Sequence, residues 1–128
     1  MSWKPESYPS VSAYLLVRDA ERTLAFLAEV FGATRLRVFP RAEGPGIEHA
    51  EARLDDSVLM MGEVPEAPDA HVHVYVPDAE AVFARALAAG GTVVQPLMRK
   101  GDGDCRGGVA DGNGVVWWIA TQETPDAE

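Results

Sequence analysis

Three histidines are the residues of this chain best suited to chemistry near neutral pH. His71 and His73 alternate with valines in the segment HVHVYV, and His49 lies two positions before Glu51. Residues two apart on a strand lie on one face, and a His-x-His pair can bind a divalent metal when a further ligand joins it. The sequence offers His49 as a further ligand but fixes no carboxylate beside the pair.

Two interpretations of these histidines stay open. One is a divalent metal site made of His49, His71 and His73. The other is a pair of polar strand faces, with the His71 and His73 side chains hydrogen-bonded or partly solvated and with His49, Glu51 and Arg53 alternating outward along a half-buried strand. The second interpretation is favoured because a metal site requires several ligands held in place together.

Two pairs of adjacent large side chains, Met60-Met61 and Trp117-Trp118, come near the ends of two apolar runs. Neighbouring residues of a strand point to opposite faces. One member of each pair is therefore predicted to pack in the core and the other to face away from it. An outward tryptophan provides a stacking surface for a flat or cationic molecule, and methionine adapts its shape to a partner.

The segment 98–108, MRKGDGDCRGG, combines Arg99, Lys100 and Arg106 with four glycines and is predicted to be a mobile loop. It lacks the spacing of a phosphate-binding loop. Cys105 is the single cysteine, which excludes an internal disulfide and a zinc site built from cysteines. Arg106 would lower the pKa of the Cys105 thiol and Asp104 would raise it. The sequence therefore gives no support for Cys105 as a nucleophile.

Composition narrows the classes of function. The chain has 128 residues, 47% of them apolar, which fits one domain or two half-domains that share a core. The formal net charge of −9 argues against nucleic acid as a partner, because phosphates are repelled. No apolar run approaches the ~20 residues that a membrane helix needs, and the first residues lack a signal pattern. We therefore expect no membrane partner and a cytoplasmic protein.

The periodicity predicts one structural unit that occurs twice. Asp19 precedes Gly32 by thirteen positions, Asp78 precedes Gly91 by thirteen, and each aspartate is predicted to begin a helix that the glycines end. The strands predicted around the two helices are 11–17, 34–39, 47–54 and 57–61, and then 71–76, 92–95, 108–110 and 115–121. Each unit is thus βαβββ.

The repeat also predicts where the chain divides. The first unit spans 11–62, a proline-containing acidic linker spans 63–70, and the second unit spans 71–121, all within a single domain of residues 1–128. The tail 122–128 is expected to be loose. Two copies of a unit favour a pseudo-symmetric pair around a shared cleft over a solenoid, which needs at least three copies.

With these motifs in order, the chain resembles the vicinal-oxygen-chelate superfamily of glyoxalases, bleomycin-resistance proteins and extradiol dioxygenases. The segments that carry the resemblance are YLLVRDAERTLAFLAEVFGA, HAEARLDDSVLMMGE, HVHVYVPDAEAVFARALAAGG and GDCRGGVADGNGVVWWIAT. It looks most like the small single-domain, phosphonate-locus-like branch, although DGNG replaces the usual aspartate-proline turn before the last strand. The resemblance implies an α+β fold whose two tandem βαβββ units form a curved mixed sheet around a cleft.

The resemblance also implies four positions for the ligands of a divalent metal, two in each unit. In this sequence those positions hold Ser12, Met60, His71 and Trp118, where the family has His or Gln, Glu, His and Glu. A thioether and an indole do not replace oxygen or imidazole ligands, and indole has no acceptor. We therefore expect no metal at these positions and a polarisable, aromatic pocket in its place.

The leading hypothesis is a metal-free small-molecule binding protein, similar to antibiotic- or toxin-sequestering members, that needs no cofactor. The residues predicted to line the ligand site are Trp118, Met60, Tyr14, His71 and Ser12, with Trp117 as a packing residue. The ligand is expected to carry an aromatic or cationic group, and the resemblance implies a homodimer. The alternative is a lyase, isomerase or dioxygenase with a divalent metal in a rearranged site around His49, His71 and His73.

Overall fold

A computed structural model describes residues 2–124, and within them the βαβββ unit occurs twice. The chain divides between Pro68 and Asp69 into two compact units. The elements of the first unit are β1 (Tyr14–Val17), α1 (Ala20–Phe31), β2 (Thr34–Pro40), β3 (Ile47–Leu54) and β4 (Ser57–Glu63). Those of the second unit are β5 (Ala70–Tyr75), α2 (Ala79–Ala88), β6 (Thr92–Arg99), β7 (Asp104–Ala110) and β8 (Val115–Gln122). The predicted α+β class and the repeated βαβββ unit are confirmed.

Each unit forms a mixed sheet of four strands with the same topology. The strand orders are β1-β4-β3-β2 and β5-β8-β7-β6. In both sheets the first strand pairs in parallel with the last, and the other pairs are antiparallel. The parallel pairing brings residues from the two ends of a unit side by side. Tyr14 thereby lies opposite Met60, and His73 lies opposite Trp118.

Both helices begin at the predicted aspartates. The Asp19 carboxylate accepts a hydrogen bond from the backbone N–H of Arg22 at 3.1 Å, and Asp78 does the same for Ala81 at 3.2 Å. These bonds satisfy N–H groups that have no partner inside the helix. Gly32 ends α1 in the left-handed conformation that glycine adopts most readily. Neither helix of the described residues is long and apolar enough to cross a membrane.

The first strand is shorter than predicted. It begins at Tyr14, so Val11, Ser12 and Ala13 precede it. Its buried residues Leu15 and Val17 alternate with exposed ones, as the sequence predicts for this stretch. Alternation alone placed the start at residue 11, but the ladder to β4 begins only at Tyr14.

The prediction of a mobile loop over 98–108 is wrong. Strand β6 continues to Arg99 and β7 begins at Asp104, which leaves residues 100–103 as the connection. Glycines in the middle of β7 make room for aromatic rings: a Cβ atom on Gly107 would lie 2.6 Å from a ring carbon of Phe83, and one on Gly108 would lie 2.7 Å from the Trp118 indole. These two glycines therefore mark places where a ring packs closely against the strand, which is a common reason for glycine inside a strand.

Gly107→Ala should therefore destabilise the second unit, because the added methyl group overlaps the ring of Phe83. Overpacking of this kind costs about 1–3 kcal/mol, which urea unfolding can measure. The double variant Gly107→Ala with Phe83→Leu should lose less stability than the two single changes added together, since the smaller side chain makes room for the methyl group. Additive losses would contradict this account of Gly107.

Candidate functional site

The second unit presents an aromatic face built from neighbouring strands. The Trp118 indole on β8 packs over the backbone of Gly108 on β7, and its N–H donates to Nδ1 of His71 on β5 at 3.0 Å. The two rings lie nearly parallel, with centroids 6.2 Å apart. The structure thus brings together two of the predicted site residues, and the indole N–H is already used within the protein.

The neighbouring Trp117 faces the opposite way. Its side chain is fully buried, and its N–H donates to the Asp111 carboxylate at 3.0 Å. Asp111 also accepts from the backbone N–H groups of Asn113 and Val115, so it orders the DGNG turn from within. The position of Trp117 agrees with its predicted packing role. Asp111 is a partner that the sequence analysis did not single out.

Beside the aromatic face lies a charged network centred on Arg106. The guanidinium of Arg106 donates to Asp102 at 2.8 Å, to Asp104 at 2.5 Å and to Nε2 of His73 at 2.9 Å. Tyr75 donates to Asp104 at 2.7 Å. Burial and then the positive charge of Arg106 lower the pKa of His73, so this imidazole is neutral at pH 7.

The first unit contains the other three predicted site residues. Tyr14 and Met60 are paired across β1 and β4, and Tyr14 also lies 3.4 Å from Nδ1 of His49. The hydroxyl of Ser12 is buried and has no hydrogen-bond partner within the described residues. The structure therefore places Tyr14 and Met60 together on one sheet, with Ser12 before the first strand.

The prediction that the polar side chains of β3 point outward is wrong for Glu51. This side chain is fully buried and is the acceptor for several donors. Tyr8 donates to it at 2.5 Å, His49 at 2.7 Å, and Arg37 through two N–H groups at 3.2 Å each. Tyr8 comes from the irregular chain before β1, which covers this part of the sheet. Alternation along one strand cannot reveal a cover supplied by a distant segment.

The Glu51 cluster holds a buried negative charge. Burial raises the pKa of Glu51, but the hydrogen bonds from Arg37, Tyr8 and His49 outweigh it and bring the pKa to about 2. Glu51 is therefore ionised at neutral pH, and it can only accept hydrogen bonds. Arg37 and Tyr8 are partners of Glu51 that the sequence analysis missed, although Arg35 and Arg37 alternate along the strand that pairs with β3.

Two of the three histidines already use the lone pair that a metal would need. A neutral imidazole has one lone pair, and a metal needs that lone pair. Trp118 and Arg106 are donors, so they occupy the lone pairs of His71 and His73. Within residues 2–124, no group of three or more His, Cys, Asp or Glu side chains is arranged to hold a metal ion. The quartet Ser12, Met60, His71 and Trp118 supplies a single imidazole, so neither set matches the chemistry of a divalent metal.

A sequence model of the glyoxalase/bleomycin resistance protein/dioxygenase superfamily matches residues 10–119. The chain therefore belongs to this superfamily, as the sequence motifs predict. The match extends over both βαβββ units.

The chain is similar to proteins of several bacteria. Rv0887c of Mycobacterium tuberculosis is 33% identical, with 85% of this chain and 72% of that protein aligned. TioX of Micromonospora sp. ML1 has a similar structure, with a TM-score of 0.74, 28% identity and coverage of 89% of this chain and 98% of TioX. The fosfomycin resistance protein FosX of Listeria monocytogenes has a TM-score of 0.74 at 14% identity, with coverage of 91% and 94%, which shows the shared fold.

The ionised Glu51 should make stability depend on pH in the acidic range. Its folded pKa of about 2 lies below the ordinary value of 4.5, so its charge stabilises the folded state above about pH 5, and this contribution is lost as the pH falls towards 2. The change should amount to about 3 kcal/mol at most. Glu51→Gln should lose stability at pH 7 and should flatten the decline of the unfolding free energy between pH 5 and 2.

The matched control is Glu48→Gln, because Glu48 lies on the same strand with its side chain exposed. Urea unfolding at several pH values should give nearly the wild-type decline for this variant. An equally steep decline in the Glu51→Gln variant would show that other carboxylates are responsible.

Proposed function

We propose that this chain is a metal-free small-molecule binding protein that sequesters an antibiotic or toxin, with Trp118 as one wall of its ligand site. The observation that supports this most is the state of the Trp118 indole. Its N–H is satisfied by His71, and its ring rests on the backbone of Gly108, so the ring is held in place and offers its π face. A held π face recognises flat aromatic groups and cations.

The chemistry around Trp118 favours binding over metal-assisted catalysis. His71 and His73 use their lone pairs inside the second unit, and Arg106 is compensated by Asp102 and Asp104. This leaves an aromatic surface beside a network with no charge free for an anion. A ligand with an aromatic or cationic group suits that surface and an acidic protein with a net charge of −9.

The first unit supplies the remaining residues of the proposal. Tyr14 is half exposed and Met60 lies beside it, which gives an aromatic ring and an adaptable thioether. The buried hydroxyl of Ser12 has no hydrogen-bond partner among the described residues, and a polar atom of a ligand would supply one.

We further propose that the protein is a cytoplasmic homodimer. FosX is a resistance protein with the same fold, and this analogy supports a protective role.

Trp118→Ala should weaken ligand binding about ten-fold. Stacking on an indole contributes about 0.5–1.5 kcal/mol beyond the area that is buried, and 1.4 kcal/mol corresponds to one decade in Kd. Quenching of tryptophan fluorescence by proflavine, a flat aromatic cation, measures the effect. Trp117→Ala is the matched control: it should lower the unfolding free energy by about 3–5 kcal/mol, because a fully buried side chain is removed.

The reverse pattern would contradict the proposal. If Trp117→Ala lost proflavine binding with its stability intact while Trp118→Ala unfolded, the assignment of the two tryptophans would be wrong. The assignments of Ser12, Met60 and His71 would then need revision, because the same family resemblance implies all four positions.

Protein purified without chelators should contain no stoichiometric divalent metal. The physical reason is that two of the four family ligand positions hold a thioether and an indole, which are poor ligands for such ions. Elemental analysis by mass spectrometry is the measurement. About one zinc, nickel, manganese or iron per chain would overturn the proposed function and favour a metal-dependent lyase, isomerase or dioxygenase.

A further inference from the structure

The rings of Trp118 and His71 are joined edge to edge. The indole N–H lies in the plane of the indole, and the lone pair of Nδ1 lies in the plane of the imidazole. A hydrogen bond of 3.0 Å between these two groups therefore requires the rings to lie side by side. The angle between the two ring planes is only 20°. The pair thus forms one nearly flat surface, which we call the Trp–His platform.

One face of the platform is closed by the sheet. A Cβ atom on Gly108 would lie 2.7, 2.9 and 3.1 Å from three adjacent carbons in the six-membered ring of Trp118. Distances this similar place the face of the ring, and not its edge, over the glycine. The indole therefore lies across the sheet, from Gly108 on β7 towards His71 on β5, with β8 between these strands. The face that points away from the strands is the one that a ligand can reach.

The reachable face is open above the two rings and bounded by a polar pair along the strands. His71 is exposed and Trp118 is half-buried. Within residues 2–124, neither ring contacts a further aromatic ring. On the same face, Arg106 and His73 are hydrogen-bonded to each other at 2.9 Å, two positions along their strands from Gly108 and His71. A flat apolar ligand therefore makes most contact when it lies across the strands, over the indole and the imidazole.

We propose that the Trp–His platform selects ligands with three fused planar aromatic rings, and that His71 is the residue that sets this preference. The platform is itself three rings long, since it consists of the six-membered and five-membered rings of the indole followed by the imidazole. A ligand of one or two rings is covered by the indole alone, and the third ring extends over the imidazole. This inference rests on the proposed binding function and names the ligand class of that same site.

His71 has two separate effects in this account. Its Nδ1 atom holds the indole N–H and so keeps the indole flat across the sheet. Its ring adds a further stacking surface beside the indole, and stacking contributes to binding beyond the area that is buried. Both effects are absent when the side chain is removed, but the first can be kept without the second by a side chain that accepts a hydrogen bond and has no ring.

Three flat cations of equal charge test the preference for ring number. N-methylpyridinium, N-methylquinolinium and N-methylacridinium have one, two and three fused rings, and their Kd values for the full chain are measured by isothermal titration calorimetry. In the wild type, each added ring should lower the Kd because it covers more of the platform. The step from two rings to three should include a gain of about two- to ten-fold that comes from stacking on the imidazole.

Two variants of His71 separate its stacking from its hydrogen bond. His71→Asn retains an acceptor for the indole N–H, so it should lose the gain from the third ring and keep the step from one ring to two. His71→Ala should weaken both steps, because the indole is no longer held. The NMR signal of the Trp118 indole N–H should exchange slowly with solvent in the wild type and in His71→Asn, and faster in His71→Ala. The matched control is His73→Asn, which should keep both steps, because His73 is bonded to Arg106 and not to the indole.

Two results would overturn the proposal: no gain from the third ring in the wild type, or the same gain in the wild type and in either His71 variant. Trp118→Ala distinguishes this failure from that of the proposed function. If Trp118→Ala binds N-methylacridinium more weakly than the wild type while the gain from the third ring does not depend on His71, the binding site stands and the three-ring preference alone is rejected. If none of the three cations binds, or if Trp118→Ala binds them like the wild type, the proposed ligand site is rejected together with the preference.

Discussion

The parallel pairing of the first strand of each unit with the last is the constraint on which the rest of the structure depends. It closes a βαβββ segment into a four-stranded sheet and brings side chains from its two ends into contact. Tyr14 meets Met60 in one sheet, and His73 meets Trp118 in the other. A parallel pair requires a long crossover, which the helix and the antiparallel strands provide. In each unit the capped helix is part of this crossover.

The two units share one topology, but the polar cluster on the first sheet is centred on a carboxylate and that on the second is centred on a guanidinium. In the first, an acceptor is central: Glu51 collects N–H and O–H donors from three residues. In the second, a donor is central: Arg106 donates to two aspartates and to His73. The choice of centre decides whether the neighbouring histidine, His49 or His73, donates or accepts. His49 donates to the Glu51 carboxylate through Nε2, whereas the Nε2 atom of His73 accepts from the Arg106 guanidinium.

The sequence predicted the fold well because its signals are local. The aspartates that begin the helices, the alternation of Leu15 and Val17, and the hairpin from β3 to β4 depend on residues near in the chain. The errors share a physical cause, which is contact with distant residues. Gly107 lies in the segment predicted as a loop, although the ring of Phe83 packs against it, and Glu51 appeared exposed because Tyr8, its cover, is 43 positions away.

Strand β7 has no side chains at two adjacent residues, Gly107 and Gly108. Adjacent strand residues point to opposite faces, so the ring of Phe83 lies against Gly107 on one side of the sheet and the Trp118 indole lies against Gly108 on the other. At these two residues, only the peptide backbone separates the ring of Phe83, which comes from α2, from the Trp118 indole on the other face of the sheet. Any change on the aromatic face is therefore coupled to the tolerance of the interior, since a bulkier residue at either glycine displaces a ring.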